Sequence, residues 1–408
     1  MKSSPPLFAF LAILLLSCAS DQKKKILGNW RHAPRSTEEP VLFVPRSSVL
    51  IFLNDSMVDT KHLYFRKAYN ELGERRIQFL GTVTKYQIKQ DSLSIFDLND
   101  SAWSKPRHIE LLTDDSLVLR GNGTRSSYAR FNYNVSSKPL FDEIILSSSG
   151  CYGVCPIINI RVKSNGEVVF LGERYVDKIG FFKGDISSED FSKIEYEFKI
   201  ARIDTMSQHY SFGGTDQESI LTMFVKDGRI VKSIENYGHG APDELEWASQ
   251  TLRVLFEKVN LQRLDSSKLP FYQALHYFSF VKNDSAWQLS QSESFLLWNY
   301  LHESQMVSVD FATKYQVGFE RNYTWFPPAE EEFRNMDNLA KVYDPMKEQK
   351  IESIETDGRY FRFKILGRSS TTFDIGFNFL ERNRAFARFE KVDEPSYNDT
   401  DIEEELKD

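Results

Sequence analysis

The chain has 408 residues, 41% of them hydrophobic and 14% aromatic, with 32 phenylalanines; at about 150 residues per domain this is material for two or three packed units. Its net charge of -7 excludes a nucleic-acid backbone as partner, because phosphate binding needs a basic face. Seven histidines and three cysteines leave few acid–base or metal-ligating groups. The spaced signatures of serine hydrolases, zinc proteases, P-loops and EF-hands are absent, so the sequence predicts no catalytic residue, no cofactor and no metal.

In chain order, Lys2 precedes an apolar run from Leu7 to Leu16. That run is shorter than the roughly 20 residues of a spanning helix and has the length of a signal-peptide core. Leu15-Leu16-Ser17-Cys18 then resembles the lipobox of bacterial lipoproteins. The resemblance implies a signal peptide over 1–17, a mature chain beginning at a lipidated Cys18 that carries palmitate or similar acyl chains, and a tether over 18–25. It also implies a place in the bacterial cell envelope, anchored to the outer membrane on its periplasmic or surface face. At roughly 0.8 kcal/mol per buried methylene, two or three chains hold a protein stably on a bilayer.

From 26 to 135 short alternating pieces, such as Lys85 to Ile88 and Asp91 to Phe96, are divided by turn residues at close intervals. This pattern predicts an antiparallel barrel-like domain. Gly28-Asn29-Trp30 and the late Tyr128-Ala129-Arg130 resemble the opening and closing strands of lipocalin-like domains. The resemblance implies that Trp30 plugs one end of a barrel, either as core or beside an apolar ligand.

Residues 139–265 predict an α+β domain. Hairpins turn at Asn165-Gly166 and Asp227-Gly228. One helix runs from about Ser188 to Ile200, capped near Ser187 with Asp190, with Phe191, Ile194 and Phe198 on one face. A longer helix starts at Pro242 with the stripe Leu245, Ala248, Leu252, Leu255, Phe256 and Val259. Cys151 and Cys155 stand four apart among Gly150, Gly153 and Pro156. In a strand they would lie roughly 13 Å from each other, and a disulfide needs Cα atoms within about 7 Å; the glycines permit the turn that brings them together. In an oxidising compartment a disulfide clip ranks above half a zinc site or a redox pair, since C-x-x-x-C is loose for zinc and precedes a strand rather than a helix. Cys151, Gly153, Cys155, Pro156, Thr215, Asp216, Tyr237, Gly238, Ala241 and Pro242 together resemble a bacterial domain family of unknown function, common in lipoproteins. The resemblance implies a fold and an address without an activity.

Residues 269–392 predict a second α+β domain: a helix capped by Ser290 with Glu293, then strands in 307–320, 358–366 and 373–380, with Phe361, Phe363, Ile365, Phe373, Ile375, Phe377 and Phe379 facing one core. The acidic end, 393–408, predicts disorder. The whole is thus β-rich and multidomain. Its expected role is non-catalytic binding by a membrane-anchored envelope lipoprotein, with a protein or small molecule as partner. The runner-up is apolar-ligand binding in the barrel, and third is an enzyme or metal protein using Cys151, Cys155 and His239. The special residues of the middle domain fall in loops 150–156, 210–217 and 237–242. Tyr152, Gly153, Thr215, Asp216, Tyr237, Gly238 and His239 are therefore expected in one patch, either as a partner site or as loops tied by backbone bonds.

Overall fold

A computed structural model describes residues 22–33, 49–70, 73–121, 123–265, 276–321 and 351–391. Cys18, the leader, the first tether residues and the acidic end 393–408 lie outside the described residues.

The first unit comprises β1 (Gly28–His32), β2 (Val49–Phe52), β3 (Met57–Tyr69), β4 (Arg75–Lys89), β5 (Ser92–Asp97), β6 (Ala102–Trp103), β7 (Arg107–Leu112), β8 (Ser116–Gly121) and β9 (Thr124–Arg130). They run in the order β4-β3-β2-β1-β9-β8-β7-β5, and a β4–β5 pairing closes the sheet into an eight-stranded antiparallel barrel, with β6 a short spur on β5. Closure removes both edges. The interior is filled by Trp30, Leu50, Phe52, Val58, Tyr86, Leu93, Leu117 and Leu119 among others. Trp30 is wholly buried; its Nε1 donates to the Ile26 carbonyl at 2.6 Å, and the Arg130 guanidinium lies 4.2 Å over its ring. Gly28 has φ +109°, and a Cβ there would sit 2.5 Å from that guanidinium. The Gly-x-Trp opening is therefore needed to let Arg130 close the barrel end over Trp30.

The middle sheet contains β10 (Glu143–Ser148), β11 (Ile157–Lys163), β12 (Glu167–Arg174), β13 (Gly180–Asp185), β14 (His209–Ser211), β15 (Ser219–Lys226), β16 (Arg229–Tyr237) and β17 (Gln262–Arg263), in the order β14-β16-β15-β10-β11-β12-β13-β17. Both expected hairpins turn where Gly166 (φ 94°), and Asp227 with Gly228 (51° and 68°), supply positive φ. Helix α1 (Ser188–Ala201) starts at the Ser187 cap and ends on Arg202 in the left-handed region. Helix α2 (Asp243–Arg253) follows Pro242. The long second helix expected through Val259 is instead broken at Val254, and α3 (Leu255–Lys258) continues as a separate turn. The apolar stripe persists across the break, so periodicity alone could not show it. The segment 209–211, expected as loop, pairs in parallel with β16 and forms the sheet edge.

The third sheet holds β18 (His276–Lys282), β19 (Ser285–Gln288), β20 (Gln305–Val307), β21 (Tyr315–Arg321), β22 (Ile351–Thr356), β23 (Tyr360–Ile365), β24 (Thr371–Asp374) and β25 (Glu390–Lys391), with helices α4 (Gln291–Glu303) and α5 (Phe379–Arg382). Ser290 and Glu293 form a reciprocal capping box on α4. Two strand expectations hold only in part. Residues 308–314 are irregular between β20 and β21, and the alternation of 373–380 stops at Asp374, where Gly376 takes φ 83° and Asn378 caps α5. Phe373 and Phe379 still reach one core, with Phe377 packed at its margin.

These units share cores. One face of the middle sheet, with Ile144, Leu146, Ile160, Phe170 and Phe224, packs under α1 to α3 and against Ile77 and Phe79 of the barrel. The other, with Ile145, Val169, Leu171, Phe181, Met223 and Val225, packs on Phe295, Leu297 and Trp298 of α4. Phe181 stacks on Trp298 at 3.7 Å between centroids. A sheet covered on both faces needs apolar residues at successive positions, which is why β10, β11 and β12 read as near-continuous apolar runs.

Candidate binding cleft

The long β3–β4 hairpin does two jobs. Its near half closes the barrel; its far half reaches over α1 and α2. Register shifts in β3 between Asp59, Tyr64 and Phe65 mark a bulge, and the extra residues turn Lys61 out of the ladder. Lys61 has φ 53° and is 7% exposed, and its Nζ meets Asp59 at 3.2 Å and Glu197 of α1 at 2.8 Å. Burial works against its charge, but the two carboxylates more than offset that and raise its pKa. Further ties join barrel to middle unit: Ile77 N–H to the Tyr175 carbonyl at 3.2 Å, Asn70 to the Val176 carbonyl at 3.2 Å, and Arg31 to Glu244 at 2.6 Å.

Between them lies a cleft of about 380 Å³. Leu63, Phe65, Ile77 and Phe79 of the hairpin, Val154, Cys155 and Pro156 of the cysteine loop, and Trp247 of α2 make its apolar walls. Its polar wall is Glu218, His239, Glu246, Gln250 and Arg253. His239 Nε2 is 3.3 Å from Glu218 and Nδ1 is 3.0 Å from Glu246, while Arg253 meets Glu218 at 3.0 Å and lies 5.3 Å over the Phe79 ring. The hydrogen bonds to Glu218 and then Glu246 outweigh burial and push the His239 pKa up to about 9. Burial alone would raise the Glu218 carboxyl, but Arg253 and His239 hold it below its ordinary value. At neutral pH the site is therefore a compensated ion cluster, and an imidazolium with both nitrogens on carboxylates is no general base.

The loop geometry explains why these groups meet. Gly238 donates to the Glu218 carbonyl at 3.0 Å, and Ala241 N–H donates to the Asn236 side chain at 2.9 Å. A Cβ on Gly240 would sit 2.5 Å from the Ser211 backbone, so glycine lets the two loops touch. His239 itself takes φ 61°. Two non-glycine residues in the left-handed region, Lys61 and His239, thus face one cleft, and strain of this kind, of order 1–3 kcal/mol each, concentrates at functional sites.

Of the residues singled out from sequence, Cys151 and Cys155 are joined by a disulfide with Cα atoms 5.7 Å apart, which leaves no thiolate for a metal. Tyr152 N–H donates to the Asp216 carbonyl at 2.9 Å, and Gln217 N–H donates to the Tyr237 hydroxyl at 3.2 Å. Tyr152, Thr215, Asp216 and Tyr237 therefore share one loop cluster with Gly153 and Gly238. Thr215 and Asp216 are exposed there, the Thr215 hydroxyl donating to the Asp216 carboxylate at 3.4 Å, while Tyr152 is 80% exposed. His239 and Cys155 turn inward to the cleft, whereas Trp30 stays in the barrel interior. Lys61, Glu218, Glu246, Gln250 and Arg253 were not singled out. The one available signal was a pair of charged residues beside the apolar stripe of α2, Glu246 and Arg253, seven apart on one face.

Fold and site define a β-rich protein in which a closed barrel docks on an α+β unit to frame a compensated polar cleft. Residues 142–256 of it match the family described as a domain of unknown function, DUF6438, which supports the unknown-function domain expected in the middle of the chain. No curated protein matches the chain. Among solved structures, the DNA polymerase III subunit beta of Pseudomonas aeruginosa is 9% identical with a TM-score of 0.13, over 83% of this chain and 93% of its own. The Helicobacter pylori beta clamp bound to a DNA ligase peptide is 7% identical with a TM-score of 0.12, over 88% and 96%. Likeness at these TM-scores carries no argument.

Proposed function

We propose that this protein is a lipid-anchored component of the bacterial envelope, held in the outer membrane through Cys18, that binds a partner without chemistry in the cleft between barrel and middle unit. The anchor rests on Leu15 to Cys18 of the sequence. The binding site rests on one observation above all: the cleft collects the strained, buried and charged groups of two units at a single apolar-walled opening, where core packing alone would have placed apolar residues. The disulfide stiffens one wall, which favours a preformed site. The test is recovery of partners by the lipidated protein from its own envelope, comparing wild type with Val154→Trp, which fills the cleft from its partly exposed wall. Loss of recovery with a melting temperature within about 1 °C of wild type supports the reading, the shift corresponding to about 1 kcal/mol for a chain of this size. Unchanged recovery refutes it.

A further inference from the structure

The charges that line the cleft balance: Lys61, His239 and Arg253 stand against Glu218, Glu246 and Asp243. Lys61, His239 and Arg253 each hold a carboxylate within 3.3 Å. A charged ligand would find its counter-ion already engaged and would lose its own hydration on entry. Hydrogen bonding is in the opposite condition. Gln250 Oε1 and Arg253 Nε are buried with no hydrogen-bond partner among the described residues, and Arg253 is 7% exposed. Buried polar atoms are normally paired, and each one left alone costs about 1–3 kcal/mol. Here an acceptor and a donor stand three residues apart on α2, on one helix face, and both residues line the same cleft. Gln250 is half-buried, so its amide can swing to meet an incoming group.

A ligand that satisfies both must present a donor and an acceptor side by side. An extended peptide does so, because the N–H and C=O of one residue point the same way along a strand edge. The opposite wall, with Leu63, Ile77, Phe79, Val154 and Pro156, suits an apolar side chain on that residue. We infer that the cleft takes an extended, uncharged peptide segment bearing an apolar residue, its backbone N–H and C=O paired with Gln250 and Arg253. The inference rests on the cleft being the binding site and names the chemistry of its ligand.

The experiment uses the full chain labelled with 5-fluorotryptophan. Trp247 lines the cleft, and its fluorine signal is assigned with Trp247→Phe. Three probes are titrated: N-acetyl-leucine N-methylamide, which carries the paired donor and acceptor; N-acetyl-leucine, which is charged; and isoamyl alcohol, which is apolar without an amide. The diamide should shift the Trp247 signal saturably and at lower concentration than the other two. Gln250→Met, which keeps the shape but loses the amide, should weaken it about fivefold, the loss of one neutral hydrogen bond. Gln250→Glu, which keeps an acceptor, should retain most of the binding and guards against a folding defect in the first variant. If the acid or the alcohol does as well as the diamide, or Gln250→Met binds it unchanged, the peptide chemistry is overturned while the cleft as binding site stands. If no probe moves Trp247, both fall.

Discussion

Replacing His239 by glutamine should remove an alkaline loss of stability from this protein. In the folded chain the imidazolium stays charged up to about 9, held by Glu218 and Glu246, against an ordinary value of 6.5. The pairing therefore contributes fully below pH 6.5, fades as the pH rises from 6.5 through 9, and is gone above. At about 1.4 kcal/mol for each unit between the two values, the whole window is worth about 3 kcal/mol. The His239 side chain is 30% exposed, so water screens part of this and about 2 kcal/mol is the expected effect. Glu218 is held ionised by Arg253 and His239 and Lys61 is held charged by Asp59 and Glu197, so neither competes in this window. Glu173, pushed up to about 7 by burial, acts mostly below it. Urea unfolding followed by tryptophan fluorescence should show the wild type about 2 kcal/mol less stable at pH 9.5 than at pH 7. His239→Gln should start lower at pH 7 by a similar amount and stay nearly flat. An equal slope in both proteins would refute the ion cluster.

Three other outcomes follow from the same structure. Cys18→Ser should abolish palmitate labelling and release the protein from membranes, because the acyl chains supply the affinity; labelled, membrane-bound mutant would end the lipoprotein proposal. Thiol titration should find Cys151 and Cys155 unreactive before reduction, and reduction should lower stability by about 2 kcal/mol, the value for so short a closed loop; two free thiols in the native protein would contradict the bridge. Phe79→Ala should cost about 3 kcal/mol, since the ring is 7% exposed and packs between Arg253 and Phe256; a loss under about 1 kcal/mol, the range of surface changes, would mean the barrel does not rest on the middle unit.

Local chemistry was readable in advance, and assembly was not. Turns that demand positive φ announced themselves at Asn165-Gly166 and Asp227-Gly228, and caps did so at Ser187 and Ser290, because a single residue type satisfies each. Ile77 and Phe79 alternate as barrel strands should, yet they face the core of the middle unit and not the barrel. A period of two fixes which residues share a face and says nothing about what covers it. The bulge that turns Lys61 inward has no local signature in β3. The carboxylates around His239 come from the residue that precedes β15 and from α2, 28 positions apart in Glu218 and Glu246, so only folding brings them together. Sequence drew attention to His239 through its glycines; its partners required the structure.

The most direct test of the cleft as the working site is site-specific photo-crosslinking in living cells. His62 is exposed on the rim and lines the opening, and a photoreactive residue there should form one defined adduct. The adduct should vanish in the Val154→Trp background and be absent when the same residue stands at Glu189, whose side chain is 79% exposed on α1. An adduct of equal yield from both positions, or one that survives with the cleft filled, would contradict the account.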